Sequence, residues 1–514
     1  MGYNDDKVAF VSGSHGGPVW RINALCLVAL TSYALWTVAH ERILARVPPD
    51  SLKVPLVEAL VLLVPLLLAL TVFSAHPLIL NAFIVVTTFF WARSAPTRSI
   101  SPPLSPTIDK KKHTRQPSQI DVRPFSRPFV SSYRAIMMVM TVLCILAVDF
   151  PVFPREFAKA ETWGTSLMDL GVGSFVFSLG LVAALPLLRG STSGNARPAS
   201  PASYFASIVR SFRKSLPLIA LGGVRVIMVK GVDYPEHVTE YGVHWNFFFT
   251  LALLPVFGEA ISRFAIARRV DLHVAGLGVA ALHQAVLSRA GLQRWALEAE
   301  RVSLISQNKE GLASFPGYLA IYLLGLATGL YVLPPSPSFF THQHASLSAS
   351  ATASEKQRAE LKRQKAWVAK PGKLAEWLGS AAALWWAAFG GARAASEGVS
   401  RRLANLPYVL WVAAFNTLFL FLYLAVHLYV ASVSSARPGS RGPEAGTRAP
   451  ALFEAINRNG LVVFLAANLL TGLVNVSIQS MYTSDTLAVF ILVLYTGAIV
   501  GVAWGLRKRR IKLG

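Results

Sequence analysis

Residues 405–433 read NLPYVLWVAAFNTLFLFLYLAVHLYVASV, a stretch that contains no Asp, Glu, Lys or Arg. A helix of about 20 apolar residues crosses the hydrocarbon core of a bilayer, because each residue advances the helix by about 1.5 Å. This stretch is therefore long enough to span a membrane. Similar stretches recur along the whole chain, so the sequence predicts an all-α polytopic membrane protein with about thirteen transmembrane helices.

The composition supports this fold class. Hydrophobic residues make up 53% of the 514 residues and charged residues only 15%, whereas a soluble domain carries about 25% charged residues. We therefore treat residues 1–514 as a single integral-membrane domain. The predicted spans are 22–39, 54–71, 77–92, 133–150, 165–188, 215–230, 244–265, 271–289, 313–333, 374–391, 405–433, 459–478 and 485–506.

The basic residues predict the orientation. Most of the 49 Lys and Arg residues lie in loops on the side opposite the N-terminus, and such loops face the cytosol in membrane proteins. The N-terminus is then luminal and the C-terminus cytosolic. The net charge of +23 is explained by this topology, so no nucleic-acid partner is predicted.

Three long loops on the predicted cytosolic side have compositions typical of disordered segments. They cover about 94–130, 334–373 and 434–450 and are rich in Ser, Pro, Gly, Lys and Arg. Such segments bury too little apolar area to fold. We expect at most electrostatic contact with anionic membrane lipids.

Several familiar chemistries find no support in the sequence. Cys26 and Cys144 both lie in apolar stretches, so neither a disulfide framework nor a cysteine zinc site is predicted. The chain has no Gly-x-Ser-x-Gly elbow and no phosphate-binding Gly-x-x-x-x-Gly-Lys loop. We expect no metal and no permanently bound cofactor.

Asp149 is the most informative charged residue. It follows the apolar run 143–148, and its short side chain cannot reach far towards water. Charges at such positions are costly and often functional. Pro151 and Pro154 break the helix, so the segment can fold back and place Lys159 beside Asp149.

Other polar residues collect at the predicted luminal ends of several spans and predict a shared polar cavity. For Arg155, Arg225 and Lys230 a purely structural role at the membrane interface is the alternative. The candidate substrate-binding residues are Arg155, Glu161, Asp169, Arg225, Lys230, His237, Glu240, His244, Asn246, Asn308, Lys309, Asn468 and Asn475.

The segment 153–177, FPREFAKAETWGTSLMDLGVGSFVF, closely resembles the signature of the GPI-anchored wall transfer protein (PIG-W) family. These proteins are the inositol acyltransferases of GPI-anchor biosynthesis. Further blocks agree in the family's order. They are YGVHWNFFFTL at 241–251, NKEG at 308–311, FPGY at 315–318, NLPYVLWVAAFN at 405–416 and NRNGLVVFLAANLLTGLVN at 457–475.

The resemblance implies a reaction and a location. A fatty acyl group, usually palmitoyl, would pass from acyl-CoA to the inositol 2-hydroxyl of glucosaminyl-phosphatidylinositol in the endoplasmic reticulum membrane. The implied fold is a transmembrane acyltransferase bundle with a polar cavity open laterally to lipid. Acyl-CoA would be the co-substrate, and the partners would be both substrates and membrane lipids. The family's acid–lysine pair falls on Asp149 and Lys159.

The chemistry fits these residue types. A secondary hydroxyl needs a positioned base to attack a thioester, and Asp149 can supply it. Lys159 can orient that carboxylate or stabilise the oxyanion, and the sequence leaves both roles open. A secondary transporter or lipid flippase is the main alternative, and it would distribute polar residues through the midplane. A non-catalytic scaffold would not need the 149–159 segment.

Overall fold

The computed structural model describes residues 3–44, 47–93, 127–192, 201–231, 238–333, 372–435 and 449–511. Within these ranges the regular elements are helices and no strand occurs, which confirms the predicted all-α class. The predicted disordered loops lie outside the described residues, apart from a few positions at their ends. Their disorder therefore stays a prediction.

The helices that precede the second predicted cytosolic loop are given first. They are α1 (Tyr3–Val11), α2 (Val19–Ala39), α3 (Lys53–Leu62), α4 (Val64–Leu70), α5 (Pro77–Arg93), α6 (Pro128–Ala147), α7 (Leu167–Thr192), α8 (Pro201–Gly231), α9 (Val238–Tyr241), α10 (Phe247–Ala267), α11 (Leu272–Arg289), α12 (Leu292–Glu298), α13 (Leu304–Gln307) and α14 (Lys309–Val332). The remaining helices are α15 (Gly372–Ala394), α16 (Leu406–Ser435), α17 (Ala451–Arg458), α18 (Gly460–Ser477) and α19 (Asp485–Gly505).

Each predicted span coincides with one or two of these helices. Among the described residues, nine helical segments are long and apolar enough to cross a membrane, so the chain is a multi-pass membrane protein. Helix α5 is shorter, and α8, α11 and α15 are not among the nine. The number of thirteen spans therefore stays a prediction.

Two boundaries differ from the sequence-based expectation. The span 54–71 is divided at Leu63 into α3 and α4, because Pro65 has no N–H to continue the helical hydrogen bonding. Helix α8 begins at Pro201, well before residue 215, where the predicted span begins. Hydropathy locates only the apolar part of a helix. The first turns of α8 contain charged residues such as Arg210 and Lys214, so the predicted span begins after them although the helix begins before them.

Helices α7 and α14 form the centre of the bundle and approach each other through glycines. A Cβ on Gly180 would lie 2.1 Å from the Tyr322 carbonyl oxygen, and one on Gly325 would lie 2.2 Å from that of Phe177. Small residues let membrane helices pack backbone to backbone. This contact fixes the starts of α7 and α14 at the same end of the bundle.

That end is called the polar end below, and it comprises residues 3–18, 148–169, 299–310 and 398–405 together with the end of α18. It is the end at which α6 and α18 stop and α7, α14 and α16 begin. It corresponds to the predicted luminal side.

Candidate active site

The segment after α6 folds back over the end of that helix. A short 3-10 turn forms at Arg155–Phe157, and the Arg155 guanidinium donates hydrogen bonds to the carbonyl oxygens of Val148 at 2.7 Å and Phe153 at 3.1 Å. Burial lowers the pKa of Arg155 to about 10, although nearby Asp149 opposes this shift. Arg155 therefore closes the C-terminal end of α6, where the last carbonyl groups lack helical partners.

Asp149 lies two residues beyond α6 and is only 7% exposed. Its Oδ2 accepts a hydrogen bond of 2.8 Å from Asn475 Nδ2. Its Oδ1 lies 3.9 Å from Lys7 Nζ, a distance at which charge acts but a hydrogen bond does not form. Burial raises the pKa of Asp149, while the Asn475 hydrogen bond and the charges of Lys7 and Arg155 oppose the rise. We call Lys7, Asp149 and Asn475 the Asp149 site.

Lys159 has a different partner from the one that its sequence position predicts. Its Nζ lies 2.8 Å from Glu240 Oε2, and both side chains are partly exposed. The chain leaves the 3-10 turn extended at Ala158, which places Lys159 against α9. The predicted pairing of Lys159 with Asp149 is thus replaced by two pairs, Lys159 with Glu240 and Asp149 with Lys7.

Asp169 lies at the start of α7 and is completely buried. Arg401 Nε donates to its Oδ1 at 2.6 Å, while Ala160 N and Ser166 Oγ donate to its Oδ2 at 3.0 and 2.8 Å. Charge-assisted hydrogen bonds of this kind are among the strongest in proteins. We call Asp169, Arg401, Ala160 and Ser166 the Asp169 network.

A third buried carboxylate of the polar end, Glu310, lies beside this network at the start of α14. Arg301 donates to both of its oxygens, and Arg402 Nη2 donates to Oε1 at 3.0 Å. Arg402 also reaches Thr162 Oγ1 at 3.3 Å, and Lys309 Nζ donates to the Ala299 carbonyl at 2.6 Å. These bonds connect the polar segments before α7, α14 and α16.

Four predicted binding residues make hydrogen bonds outside the Asp149 site. Asn246 caps α10 by accepting from Phe248 N, and Asn308 Oδ1 accepts from the backbone N–H of His244. Asn468 Nδ2 donates to the Phe464 carbonyl of its own helix. The remaining member is Glu161, whose Oε1 accepts from Thr239 Oγ1 at 3.0 Å.

Three further predicted binding residues lie on α8 or after it. Arg225 is exposed on α8. The side chain of Lys230 and the whole of His237 lie outside the described residues. In the described part of the chain, no cluster of His, Cys, Asp and Glu is placed to hold a metal ion.

Several charged residues of the polar end are absent from the sequence-based candidates, among them Lys7, Arg401 and Arg402. Lys7 precedes the first span, and Arg401 and Arg402 directly precede α16. The pair Arg401-Arg402 does carry a signal, because it lies on the side where the topology rule predicts few basic residues. Lys7 carries no such signal, since it lies in a polar stretch before the first apolar run.

The fold and these contacts define a multi-pass membrane protein with buried carboxylates at one end of its helix bundle. The sequence model of the GWT1 family matches residues 3–506. The chain belongs to the GWT1 family.

Curated relatives align over almost the whole chain. "GPI-anchored wall transfer protein 1" of Gibberella zeae is 40% identical over 525 residues, which cover 99% of this chain and 98% of the relative. The Aspergillus fumigatus protein of the same name is 39% identical, with 99% of each chain covered. The protein of that name from Cryptococcus neoformans var. neoformans is 37% identical, with 99% of this chain and 100% of the relative covered.

Proposed function

We propose that this chain is an acyl-CoA-dependent O-acyltransferase of GPI-anchor biosynthesis. It transfers a fatty acyl group, usually palmitoyl, to the inositol 2-hydroxyl of glucosaminyl-phosphatidylinositol. Membership of the GWT1 family and similarity to proteins named "GPI-anchored wall transfer protein 1" support the role in GPI-anchor biosynthesis. The acylation of inositol is the more specific part of the proposal, and it is argued from the chemistry of the polar end.

The observation that carries this proposal is the state of Asp149. It is buried, accepts one hydrogen bond from a neutral amide, and has its cation at 3.9 Å. Burial raises the pKa of Asp149, which makes its carboxylate a stronger base than an exposed aspartate. Asp149 accepts the proton of the inositol 2-hydroxyl as that oxygen attacks the thioester carbonyl. The C–S bond then breaks, and CoA leaves as a thiolate that is protonated to the free thiol.

We assign to Lys159 the role of stabilising the negative charge that develops on the thioester carbonyl oxygen. The Lys7 contact with Asp149 supports this role over orientation of the carboxylate, because Asp149 already has a cation. The partly exposed ion pair of Lys159 with Glu240 holds the ammonium group at the polar end. A positioned cationic donor is most useful where negative charge appears in the transition state.

Of the four buried carboxylates in the described part of the chain, three lie at the polar end, and Glu58 on α3 lies at the opposite end. This uneven placement supports an enzyme over a transporter. Asp149, Asp169 and Glu310 all lie at this end, whereas transporters bind substrate near the midplane. We place the protein in the endoplasmic reticulum membrane, with the N-terminus luminal and the C-terminus cytosolic. The polar end then faces the lumen, and the bundle opens laterally to the lipid substrate.

The test uses the purified full-length chain in liposomes with glucosaminyl-phosphatidylinositol and radiolabelled palmitoyl-CoA. We expect a labelled lipid that resists phosphatidylinositol-specific phospholipase C, because that enzyme uses the free inositol 2-hydroxyl as its nucleophile. A substrate with a blocked 2-hydroxyl should remain unlabelled.

A matched pair of variants assigns the activity to the site. Asp149→Asn should abolish most of the labelling, whereas Asp485→Asn changes an exposed carboxylate at the same end and should have no effect. Folded protein that transfers no acyl group to this lipid would refute the proposal. Movement of the lipid between leaflets without acylation would favour the flippase.

A further inference from the structure

The N-terminal helix α1 supplies a residue to the Asp149 site. The Lys7 side chain is only 7% exposed, although lysine is strongly hydrated and rarely buried without a partner. Its Nζ donates to Asn475 Oδ1 at 3.4 Å and lies 3.9 Å from Asp149 Oδ1. A residue near the start of the chain therefore contacts two residues that lie far from it in sequence.

Helix α1 is attached to the polar end at both of its ends. Near its start, the Tyr482 hydroxyl donates to Asp6 Oδ2 at 2.7 Å. Near its end, the Arg155 guanidinium lies 4.1 Å from the centre of the Phe10 ring, within the range of a cation–π contact. These contacts hold Lys7 against the C-terminal ends of α6 and α18.

The segment between α1 and α2 is fixed by backbone contacts. Gly17 N donates to the Thr165 carbonyl at 2.7 Å, and Thr165 Oγ1 donates back to Gly17 O at 2.7 Å. Gly16 has φ +71°, and a Cβ there would lie 2.3 Å from Thr165 O, so only glycine fits this approach. The Ser14 carbonyl accepts from Glu161 N at 2.8 Å. The position of α1 is thus part of the fold.

We propose that Lys7 is a positioning residue of the active site, which orients Asn475 and keeps the Asp149 carboxylate in the form that accepts a proton. This inference rests on the proposed acyltransferase function. The Asn475 amide accepts from Lys7 through Oδ1 and donates to Asp149 through Nδ2. Ser480 Oγ also donates to Asn475 Oδ1, at 3.3 Å, so without Lys7 the amide loses one of the two donors that set its orientation.

The charge of Lys7 has a second consequence. Burial favours the protonated form of Asp149, and the groups that oppose it are the Asn475 amide, Lys7 from α1 and Arg155 from the 3-10 turn. An opposite charge within about 4–6 Å shifts the pKa of a carboxyl group by about 1–3 units. Removal of the Lys7 charge should therefore make Asp149 bind its proton at higher pH.

The experiment measures the pH dependence of acyl transfer by the full-length chain in liposomes. Lys7→Met keeps most of the side-chain volume and removes the charge. We expect the acidic limb of its pH–activity profile to move to higher pH by about 1–3 units. Turnover should fall, and high pH should partly restore it. Lys7→Arg should keep the acidic limb of the unsubstituted chain. Lys53→Met removes an exposed lysine at the other end of the bundle and should change nothing.

Two outcomes would overturn the inference. One is a folded Lys7→Met variant with full turnover and an unchanged pH profile. The other is full additivity in a double-mutant cycle with Asp149→Asn, because residues that act as a unit lose little more together than separately. Should Lys7→Met fold poorly, Lys7→Gln in the same cycle provides the comparison. Absence of transfer by the unsubstituted chain would instead refute the proposed function, so the two failures are distinguishable.

Discussion

Two buried aspartates lie at the polar end, and their surroundings differ. Asp169 is fully buried and receives three hydrogen bonds, one of them from Arg401 at 2.6 Å. Asp149 is nearly as buried but receives one hydrogen bond from an amide, and its cation is 3.9 Å away. Burial alone therefore does not identify the reactive carboxylate. The number and charge of its partners do.

The two carboxylates also differ in what their partners lose when the charge is removed. Lys7 lies 3.9 Å from Asp149 and makes no hydrogen bond to it, so Asp149→Asn removes a weak charge contact. Arg401 Nε donates to Asp169 at 2.6 Å. Without that carboxylate, the buried guanidinium loses a hydrogen-bonded partner and keeps the charge of Glu240, and removal of one member of a buried ion pair is costly.

The largest stability effect is expected in the Asp169 network. Asp169→Asn keeps the shape but removes the charge to which Arg401 Nε donates, and breaking a buried ion pair on one side costs about 3–5 kcal/mol. Thermal unfolding of the purified protein in detergent measures this loss.

The matched double variant tests the cause of that loss. Asp169→Asn combined with Arg401→Met should recover much of the stability, because no unpaired charge remains. If Asp169→Asn alone is as stable as the unsubstituted chain, Asp169 and Asp149 do not differ in their effect on stability, and the account is wrong on this point.

Lys159 should affect turnover more than stability, since its ion pair with Glu240 is partly exposed and such pairs contribute only about 0–1 kcal/mol. Loss of one oxyanion donor lowers kcat by about 10²–10³. We expect Lys159→Met to show such a decrease in steady-state acyl transfer with little change in melting temperature. Equal losses from Lys159→Met and Glu240→Gln would instead indicate that the ion pair is structural.

The pH dependence of acyl transfer offers a smaller but specific test. The base must be ionised, and burial raises the pKa of Asp149. Activity should therefore fall, as the pH is lowered, at a higher pH than an exposed aspartate would give. Asp169→Asn, assayed where it remains folded, should keep the same acidic limb. A limb that moves with Asp169 would transfer the role of base to the other carboxylate.

The smallest effect is expected at Asn468, which the sequence places among the binding candidates. Its side chain donates to the Phe464 carbonyl within α18. Asn468→Ala should change steady-state acyl transfer by less than about twofold, because a helix with its backbone bonds intact does not need this contact. A large decrease would indicate that Asn468 contacts a substrate.

The sequence predicts the fold better than the site. The helices depend on residues that are neighbours in sequence, whereas the site is formed by residues that are far apart in sequence. A membrane helix needs only a local apolar run, so hydropathy locates the helices and misses features such as the break at Leu63. Asp149 is also recognisable locally, as an acid that follows an apolar run. Its partners Lys7 and Asn475 come from opposite ends of the chain, and only the packing of α1, α6 and α18 brings them together. Closeness in sequence favours Lys159 as the partner of Asp149, but the structure pairs Lys159 with Glu240.

The most direct test of the account measures turnover and melting temperature of Asp149→Asn in one preparation. Asparagine can still accept the Asn475 hydrogen bond but cannot act as the base. The account predicts that kcat falls by about 10²–10⁴ while the melting temperature changes much less than in Asp169→Asn, because Lys7 lies 3.9 Å from Asp149 and makes no hydrogen bond to it. Near-normal acyl transfer would contradict the assignment of Asp149 as the base. So would a loss of activity that only follows a fall in melting temperature as large as that of Asp169→Asn.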